Sequence, residues 1–335
     1  MSDKQFAVVG MGNAIVDVIS HVDDEFVVAN GLERGAMRLI DADEVTRLYA
    51  AMPPGIESSG GSAANTIAGI AALGGSVAYI GKVRDDQLGE VFGHDMRASG
   101  VHYDVPAAAE GDPTARCLIV VTPDAQRTLN TFLGISRNLS PDDVDAGLVA
   151  SAELLYCEGY LWDVEIAKAA IRHGMDLAHQ AGGKTALALS DSFCVDRHRE
   201  EFRDLVENRV DILFANELEI CSLYEVDTFD EALQQVRGKC EIACLTRSAD
   251  GSVVVAGDEV HVVDAHPVGH VVDTTGAGDM YASGFLWGLS EGYDLATCGR
   301  LGGMAAAEVI SHLGARPEAS LSELAAPIIA TASGR

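Results

Sequence analysis

Apolar and polar positions along the chain alternate between two patterns. Short apolar runs, such as Phe6-Ala7-Val8-Val9 and Leu154-Leu155-Tyr156-Cys157, recur at about 6–10, 76–80, 153–157, 185–190, 210–214 and 241–246 and predict strands. Between most of them apolar positions recur at helical spacing, at about 42–51, 64–73, 86–99, 164–181 and 196–208. Asp41-Ala42-Asp43-Glu44 predicts a capping box at the first of these helices. Repeated strand-then-helix units imply a mostly parallel sheet covered on both faces. Two stretches, about 13–40 and about 101–133, carry strand patterns and no helix pattern. They predict a small β-sheet projecting over one edge of the main sheet as a lid. No low-complexity linker or internal repeat interrupts the sequence, and its 335 residues allow one large α/β domain or two smaller ones.

Composition narrows the classes. A hydrophobic content of 48% and 35 glycines suit an α/β enzyme with many tight turns. The net charge of −28 argues against nucleic acid or an anionic membrane as partner, since both need clustered Lys and Arg. A phosphate ligand would have to be held by local amides, a few cations and a metal. No apolar run approaches about 18 residues, and Met1-Ser2-Asp3-Lys4-Gln5 is too polar for a signal peptide, so a cytoplasmic location is expected. Seven cysteines, several in apolar runs and none in a Cys-x-x-Cys pair, read as structural thiols. His261, His266 and His270 have no cysteines or carboxylates at ligand spacing, and no metal site is expected there.

Two glycine motifs fail their context. Gly182-Gly183-Lys184-Thr185 resembles the end of a P-loop, but Ala178 stands where the first glycine belongs and an apolar strand follows instead of a helix. Gly10-Met11-Gly12 follows a strand as a dinucleotide fingerprint would, yet Ile15 replaces the third glycine and the next residues alternate as a strand.

The chemistry-bearing stretch is Asp273-Thr274-Thr275-Gly276-Ala277-Gly278-Asp279, which runs into an amphipathic helix. Glycines allow close ligand approach, and the first-turn N–H groups make an anion site. A carboxylate beside such a site suits a base for a hydroxyl that attacks the bound anion; a dipole-complementing acid is the plainer reading of Asp279. The helix terminus favours the ionised carboxylate, so no raised pKa is expected for it.

Gly60-Gly61-Ser62-Ala63-Ala64-Asn65-Thr66 is a second glycine turn opening a helix. Asn13 and Asp17 are expected on one face of the first lid strand, where Asp17 could bind two ligand hydroxyls or face solvent. Asn216-Glu217-Leu218-Glu219 follows a buried-looking strand, at the carboxyl end where open α/β sheets bind ligands. Leu245-Thr246-Arg247-Ser248-Ala249-Asp250-Gly251 adds a hydroxyl, a cation and a glycine turn.

Over essentially its whole length the chain resembles the ribokinase-like (PfkB) carbohydrate and nucleoside kinases. The resemblance rests on 273–279 with its helix, on Gly60-Gly61 with Asn65 and Val77-Ala78-Tyr79-Ile80-Gly81-Lys82-Val83-Arg84-Asp85-Asp86, and on the Asn-x-x-Glu element Asn216–Glu219. Gly10-Met11-Gly12-Asn13 with Asp17, and the segment 190–196, are most similar to adenosine kinases.

The resemblance implies that residues 1–335 form a single three-layer α/β/α ribokinase-like domain with a mostly parallel central sheet and a β-lid from about 13–40 and 101–133. It implies Asp279 as catalytic base and the amides of Gly276, Ala277 and Gly278 as stabilisers of the γ-phosphoryl group. Asp17, Gly60, Gly61, Ser62 and Asn65 would hold the acceptor, with Asn13 near its base and Met37 an apolar lid contact; Leu161 or Trp162 would cover the base. Asn216, Thr246, Gly251 and Gly278 would line ATP. Asn216 and Glu219 would serve Mg²⁺, partly through water, and Asp273 with carbonyls near Leu313-Gly314 would suit a monovalent cation such as K⁺. Ser248 departs from the family, which usually has glycine there.

The expected activity is ATP-dependent phosphorylation of a hydroxymethyl group, with adenosine favoured over ribose, fructose, inosine or guanosine. A catalytically idle ligand-binding regulator is the alternative from another class, and a dinucleotide oxidoreductase a remote third. Both monomer and homodimer are compatible with the resemblance.

Overall fold

A computed structural model describes residues 4–124 and 126–332. In chain order the strands are β1 Phe6–Met11, β2 Ile15–His21, β3 Met37–Leu39, β4 Ile56–Gly60, β5 Val77–Ile80, β6 Ala115–Val121, β7 Arg127–Phe132, β8 Ala152–Glu158, β9 Lys184–Ala188, β10 Ile212–Asn216, β11 Ile242–Thr246, β12 Ser252–Ala256 and β13 Glu259–Val263. Among the described residues the main sheet has 8 strands in the order β13-β12-β11-β10-β9-β8-β1-β5. Its pairings from β5 to β11 are parallel, and β12 and β13 add an antiparallel edge.

The apolar runs are continuous because both faces of this sheet are buried. Val8, Tyr79, Tyr156 and Phe214 face one layer, with Ile67, Phe285 and Leu301 from helices Ser62–Ala72, Ala277–Ser290 and Leu295–Val309. Val9, Ala78, Leu155 and Leu213 face the other, with Ile171, Phe202 and Ile220 from helices Glu165–Gln180, Ser192–Asn208 and Glu217–Tyr224. Successive residues along each strand thus alternate between two cores while partners in register share one, and each large apolar side chain buried there contributes roughly 1.5–3 kcal/mol. The result is the three-layer α/β/α architecture, with the mostly parallel sheet in the middle.

The lid is a second sheet of 5 strands, in the order β3-β7-β6-β2-β4. It differs from expectation in two places. Helix Asp24–Ala29 lies inside the stretch 13–40 that reads as strand only. Phe26-Val27-Val28 has strand-forming composition, but the Asp23 side chain accepts from Phe26 N and caps a helical turn. Strand β4 lies outside the expected lid boundaries, pairing antiparallel with β2. Ile56-Glu57-Ser58-Ser59-Gly60 has no apolar alternation to betray it, because an edge strand can be held by backbone bonds alone.

The predicted capping box at helix Ala42–Ala51 is half formed. Asp41 accepts from Glu44 N at 2.8 Å, while the Glu44 carboxylate turns away to Arg38 at 2.6 Å.

Candidate active site

At the carboxyl ends of the parallel strands lies a cavity of about 620 Å³. Asp279, Gly278, Ala277 and Thr274 line it, with Ser62 from one side and Asn216, Glu219, Thr246 and Gly251 from the other. A second cavity, of about 550 Å³, opens at the amino ends of the same strands beside Lys4, Glu153 and Lys184, with no glycine-opened helix pointing into it.

Two helices begin at the first cavity after a glycine in left-handed backbone. Gly61 has φ 98° and Gly276 φ 79°. A Cβ on Gly61 would run into the Asn13 carbonyl oxygen, and one on Gly276 would lie 2.7 Å from the Ala315 Cβ. A Cβ on Gly278 would meet nothing within 4 Å, so that face of the terminus stays open. Ala277 N–H donates to Thr274 O at 3.2 Å, and this bond must give way before Ala277 can join its neighbours in holding an anion.

Asp279 sits in the first helical turn with both oxygens engaged. Ser62 Oγ donates to Oδ1 at 2.6 Å and Asn65 Nδ2 to Oδ2 at 3.1 Å. The expectation of an unshifted pKa fails. One side of Asp279 opens to the cavity, but protein surrounds the rest, and desolvation raises its pKa against the lowering effect of Ser62, Asn65 and Arg316.

Asp17 shares the less buried face of β2 with Ile15 and Ile19, and Gly60 leaves room for its carboxylate. Desolvation lifts its pKa to about 6, despite Arg127 and Arg316 nearby. Asn13 does not share this face, because β2 begins only at Ile15. It is buried, with Nδ2 donating to Glu158 Oε1 at 2.7 Å and Oδ1 accepting from Ser136 Oγ at 2.8 Å. Met37 is exposed on β3, paired in register with Leu129. Leu161 and Trp162, expected over a base, lie instead in the core; Trp162 packs on Phe202 and donates to Glu201 Oε2 at 3.2 Å.

Asn216 and Glu219 close a capping box on helix Glu217–Tyr224. Glu219 N–H donates to Asn216 Oδ1 at 2.9 Å, while Glu219 accepts from Asn216 N at 2.9 Å and Nδ2 at 2.5 Å. Burial pushes the Glu219 carboxyl up to about 7. A dication arriving on a phosphate would favour its ionised form, so the pair fits Mg²⁺ held through water. Asn216 and Glu219 would hold that ion, and its charge would neutralise phosphate oxygens. At the next turn Ser248 takes φ 50°, the left-handed conformation for which glycine is usual, so the loop turns as it would with a glycine.

Three residues of the site carry no motif in the sequence. Glu158, at the end of β8, accepts from Asn13 N at 2.8 Å and from Ala63 N at 2.7 Å, and burial pushes it up to about 7. A carboxylate ending the apolar run Leu154–Cys157 is its one sequence signal. Arg127, on the lid, forms an ion pair with Asp273 and keeps a buried Nε without a partner among the described residues. Arg316 donates to Asn65 Oδ1 at 2.8 Å.

The monovalent cation expected at Asp273 does not fit. The Asp273 carboxylate is met by Thr275 N–H and O–H, by Gly314 N–H and by the Arg127 guanidinium. These are donors, whereas a cation needs acceptors.

A carboxylate in the first turn of a glycine-opened helix, facing a cavity over the carboxyl ends of a parallel sheet, is an arrangement that group transfer to a hydroxyl can use. The family model described as pfkB family carbohydrate kinase matches residues 55–321, and the chain belongs to that family. It is a phosphotransferase with a hydroxyl group as acceptor.

Two solved structures match at TM-score 0.89 and 50% identity. The adenosine kinase from Sinorhizobium meliloti matches over 96% of this chain and 99% of its own. The probable sugar kinase protein from Rhizobium etli CFN 42 matches over 97% and 98%. The adenosine kinase of Saccharomyces cerevisiae is 27% identical over 333 residues, 91% of this chain and 94% of that protein. No helix among the described residues is long and apolar enough to cross a membrane.

Proposed function

We propose that the chain transfers the γ-phosphoryl group of ATP to the primary hydroxyl of a nucleoside, with adenosine the preferred acceptor. The observation that carries this reading is the face of the lid sheet that holds Asp17. Next to Asp17 it is apolar: Ile15, Ile19, Cys117, Ile119 and Leu129 form one cluster, and Met37 and Leu39 extend it on the edge strand. A carboxylate pairs with the two ribose hydroxyls, while a flat apolar base buries well against such a strip. A free sugar would leave that surface wet.

In the proposed reaction Asp279 takes the proton of the attacking hydroxyl, and Ser62 and Asn65 hold its two oxygens in place. First-turn amides at Gly276, Ala277 and Gly278 receive charge from the transferring group. The Arg127 Nε adds a donor from the lid. Asn216 and Glu219 serve Mg²⁺, with Thr246 and Gly251 along the phosphates.

The test is ATP turnover with adenosine, inosine, guanosine, ribose and fructose as separate acceptors. Adenosine should give the highest kcat/KM. Turnover of ribose or fructose without adenosine would overturn the nucleoside reading, and no turnover with any acceptor would favour a ligand-binding role.

A further inference from the structure

Arg316 lies outside every motif that marks the site, in the loop after helix Leu295–Val309. Its Nε donates to Asn65 Oδ1 at 2.8 Å, and its Nη2 to Ser59 O at 3.3 Å and Ser59 Oγ at 3.2 Å. Ser59 is itself anchored, through its N–H, to Asp95 Oδ2 at 2.9 Å. A side-chain amide has one accepting end and one donating end. With Oδ1 of Asn65 taken by the guanidinium, Nδ2 is the end presented to Asp279. Freed from Arg316, the amide could turn over and set its oxygen against the carboxylate.

The charges around Arg316 come from several elements. Asp17 faces it from β2, Tyr79 from β5, Asp95 from helix Gln87–Ala98 and Asp279 from helix Ala277–Ser290. Asp279 in turn acts on Asp17, Tyr156, Glu158, Tyr160 and Glu219. Carboxylates crowded into a dry pocket take up protons unless a cation stands beside them. Arg127 acts on Asp17 from the lid side, whereas the guanidinium acting on Asp279 is that of Arg316.

We propose that Arg316 is a positioning residue for phosphoryl transfer, fixing the Asn65 amide with its N–H toward Asp279 and supplying the positive charge that lets Asp17 and Asp279 share one pocket. The inference rests on the reading of Asp279 as the base. Arg316 touches neither transferred group nor acceptor in this role; it acts through Asn65 and through its field.

The experiment is the pH profile of kcat/KM for adenosine in the parent, Arg316→Gln and Arg316→Lys. Glutamine keeps a donor for Asn65 and removes the charge. Its acid limb should move up by about one pH unit, with a loss of roughly tenfold at pH values below both limbs that recovers on the plateau. Lysine keeps the charge and loses the fork, so its rate should fall while its acid limb stays with the parent's. KM for ATP should stay within several-fold in both. An acid limb unmoved in Arg316→Gln, or moved equally in both variants, overturns the proposal.

If the glutamine variant does not fold, judged by circular dichroism and calorimetric ATP binding, the lysine variant decides: a displaced limb or a parent-like rate sinks the idea, and a lowered rate with the limb in place supports it. Near-parent turnover in Asp279→Asn would remove the base reading itself. An inactive Asp279→Asn beside an unmoved limb in Arg316→Gln removes only the inference about Arg316.

Discussion

Most helices of this chain close their first turn with a side chain of their own, as Asp23, Asp41, Asp86, Asp191, Asn216, Thr228, Asp294 and Ser320 do. The two glycine-opened helices at the cavity, Ser62–Ala72 and Ala277–Ser290, start after Gly61 and Gly276 with no side-chain cap. They differ from each other as much as from the rest. The first is already occupied by a carboxyl group, since Glu158 accepts from Ala63 N while also binding Asn13. The second faces open space at Gly278. Filling one terminus fixes the acceptor wall rigidly, and leaving the other open reserves its amides for a phosphoryl group.

The largest break in this comparison should come from the acid on the open terminus. Asp279→Asn keeps size and one acceptor, and the Ser62 hydroxyl can rotate to suit it, so the fold should survive. Turnover should fall at least about 10²-fold, the lower range for general-base catalysis, with ATP and acceptor binding within several-fold of the parent. Single-turnover rates beside calorimetry of both ligands check this. Near-normal turnover would reduce Asp279 to a helix-terminal acid.

Asp17 tests the filled side. Asp17→Asn should weaken acceptor binding by about 1.5–3 kcal/mol, the scale of hydrogen bonds to a charged group, and leave ATP affinity unchanged. A parallel loss of ATP affinity would mean that the lid acts on both ligands.

Gly61→Ala probes the same side through the backbone. Alanine at φ 98° is strained and its Cβ meets the Asn13 carbonyl, so unfolding in urea should show a loss of roughly 1–3 kcal/mol. Parent-like stability there would show that the filled terminus can shift.

Acids with raised pKa values predict how stability responds to pH. Desolvation places Asp17 near 6, and Glu158 and Glu219 near 7, above their unfolded values of 3.8 and 4.5. In that window the folded state binds more protons than the unfolded chain, so these groups' contribution is present at low pH and lost as pH rises through their folded values. The unliganded melting temperature should therefore drop by a few degrees, in order of magnitude, between pH 5.5 and 7.5. Glu158→Gln should flatten the drop. A melting temperature that rises across this range would contradict the burial of these carboxylates.

Much of this architecture is legible in the sequence, for a physical reason. Runs buried on both faces, such as Val8-Val9 and Leu154-Leu155, must be apolar throughout, and glycines such as Gly61 and Gly276 stand where no Cβ fits. Strand β4 is silent because an edge strand needs only backbone pairing. Asn13 misleads because its polarity suits a ligand as well as it suits Glu158 and Ser136. Glu158, Arg127 and Arg316 enter the site from segments far from the motifs they serve, so only folding brings them together: Glu158 reaches Ala63 across 95 positions of chain, Arg127 reaches Asp273 across 146 and Arg316 reaches Asn65 across 251. The pKa of Asp279 is missed because the helix terminus is visible in sequence and the desolvation is not.

The smallest effect sharpens the contrast most. Gly278 stands in the first turn of the open terminus, and its added methyl meets no protein atom within 4 Å. Gly278→Ala should leave the fold intact and stabilise it by up to about 0.5 kcal/mol, since alanine lowers the entropy of the unfolded chain. That is the opposite sign to Gly61→Ala, for the same chemical change at the other glycine-opened helix. The added methyl would occupy space reserved for a phosphate, so ATP affinity or turnover should fall although stability rises. Urea unfolding and ATP calorimetry on the two alanine variants, side by side, make the check. Loss of stability in Gly278→Ala without any change in ATP binding would mean that the open face of this terminus is closed by the protein itself.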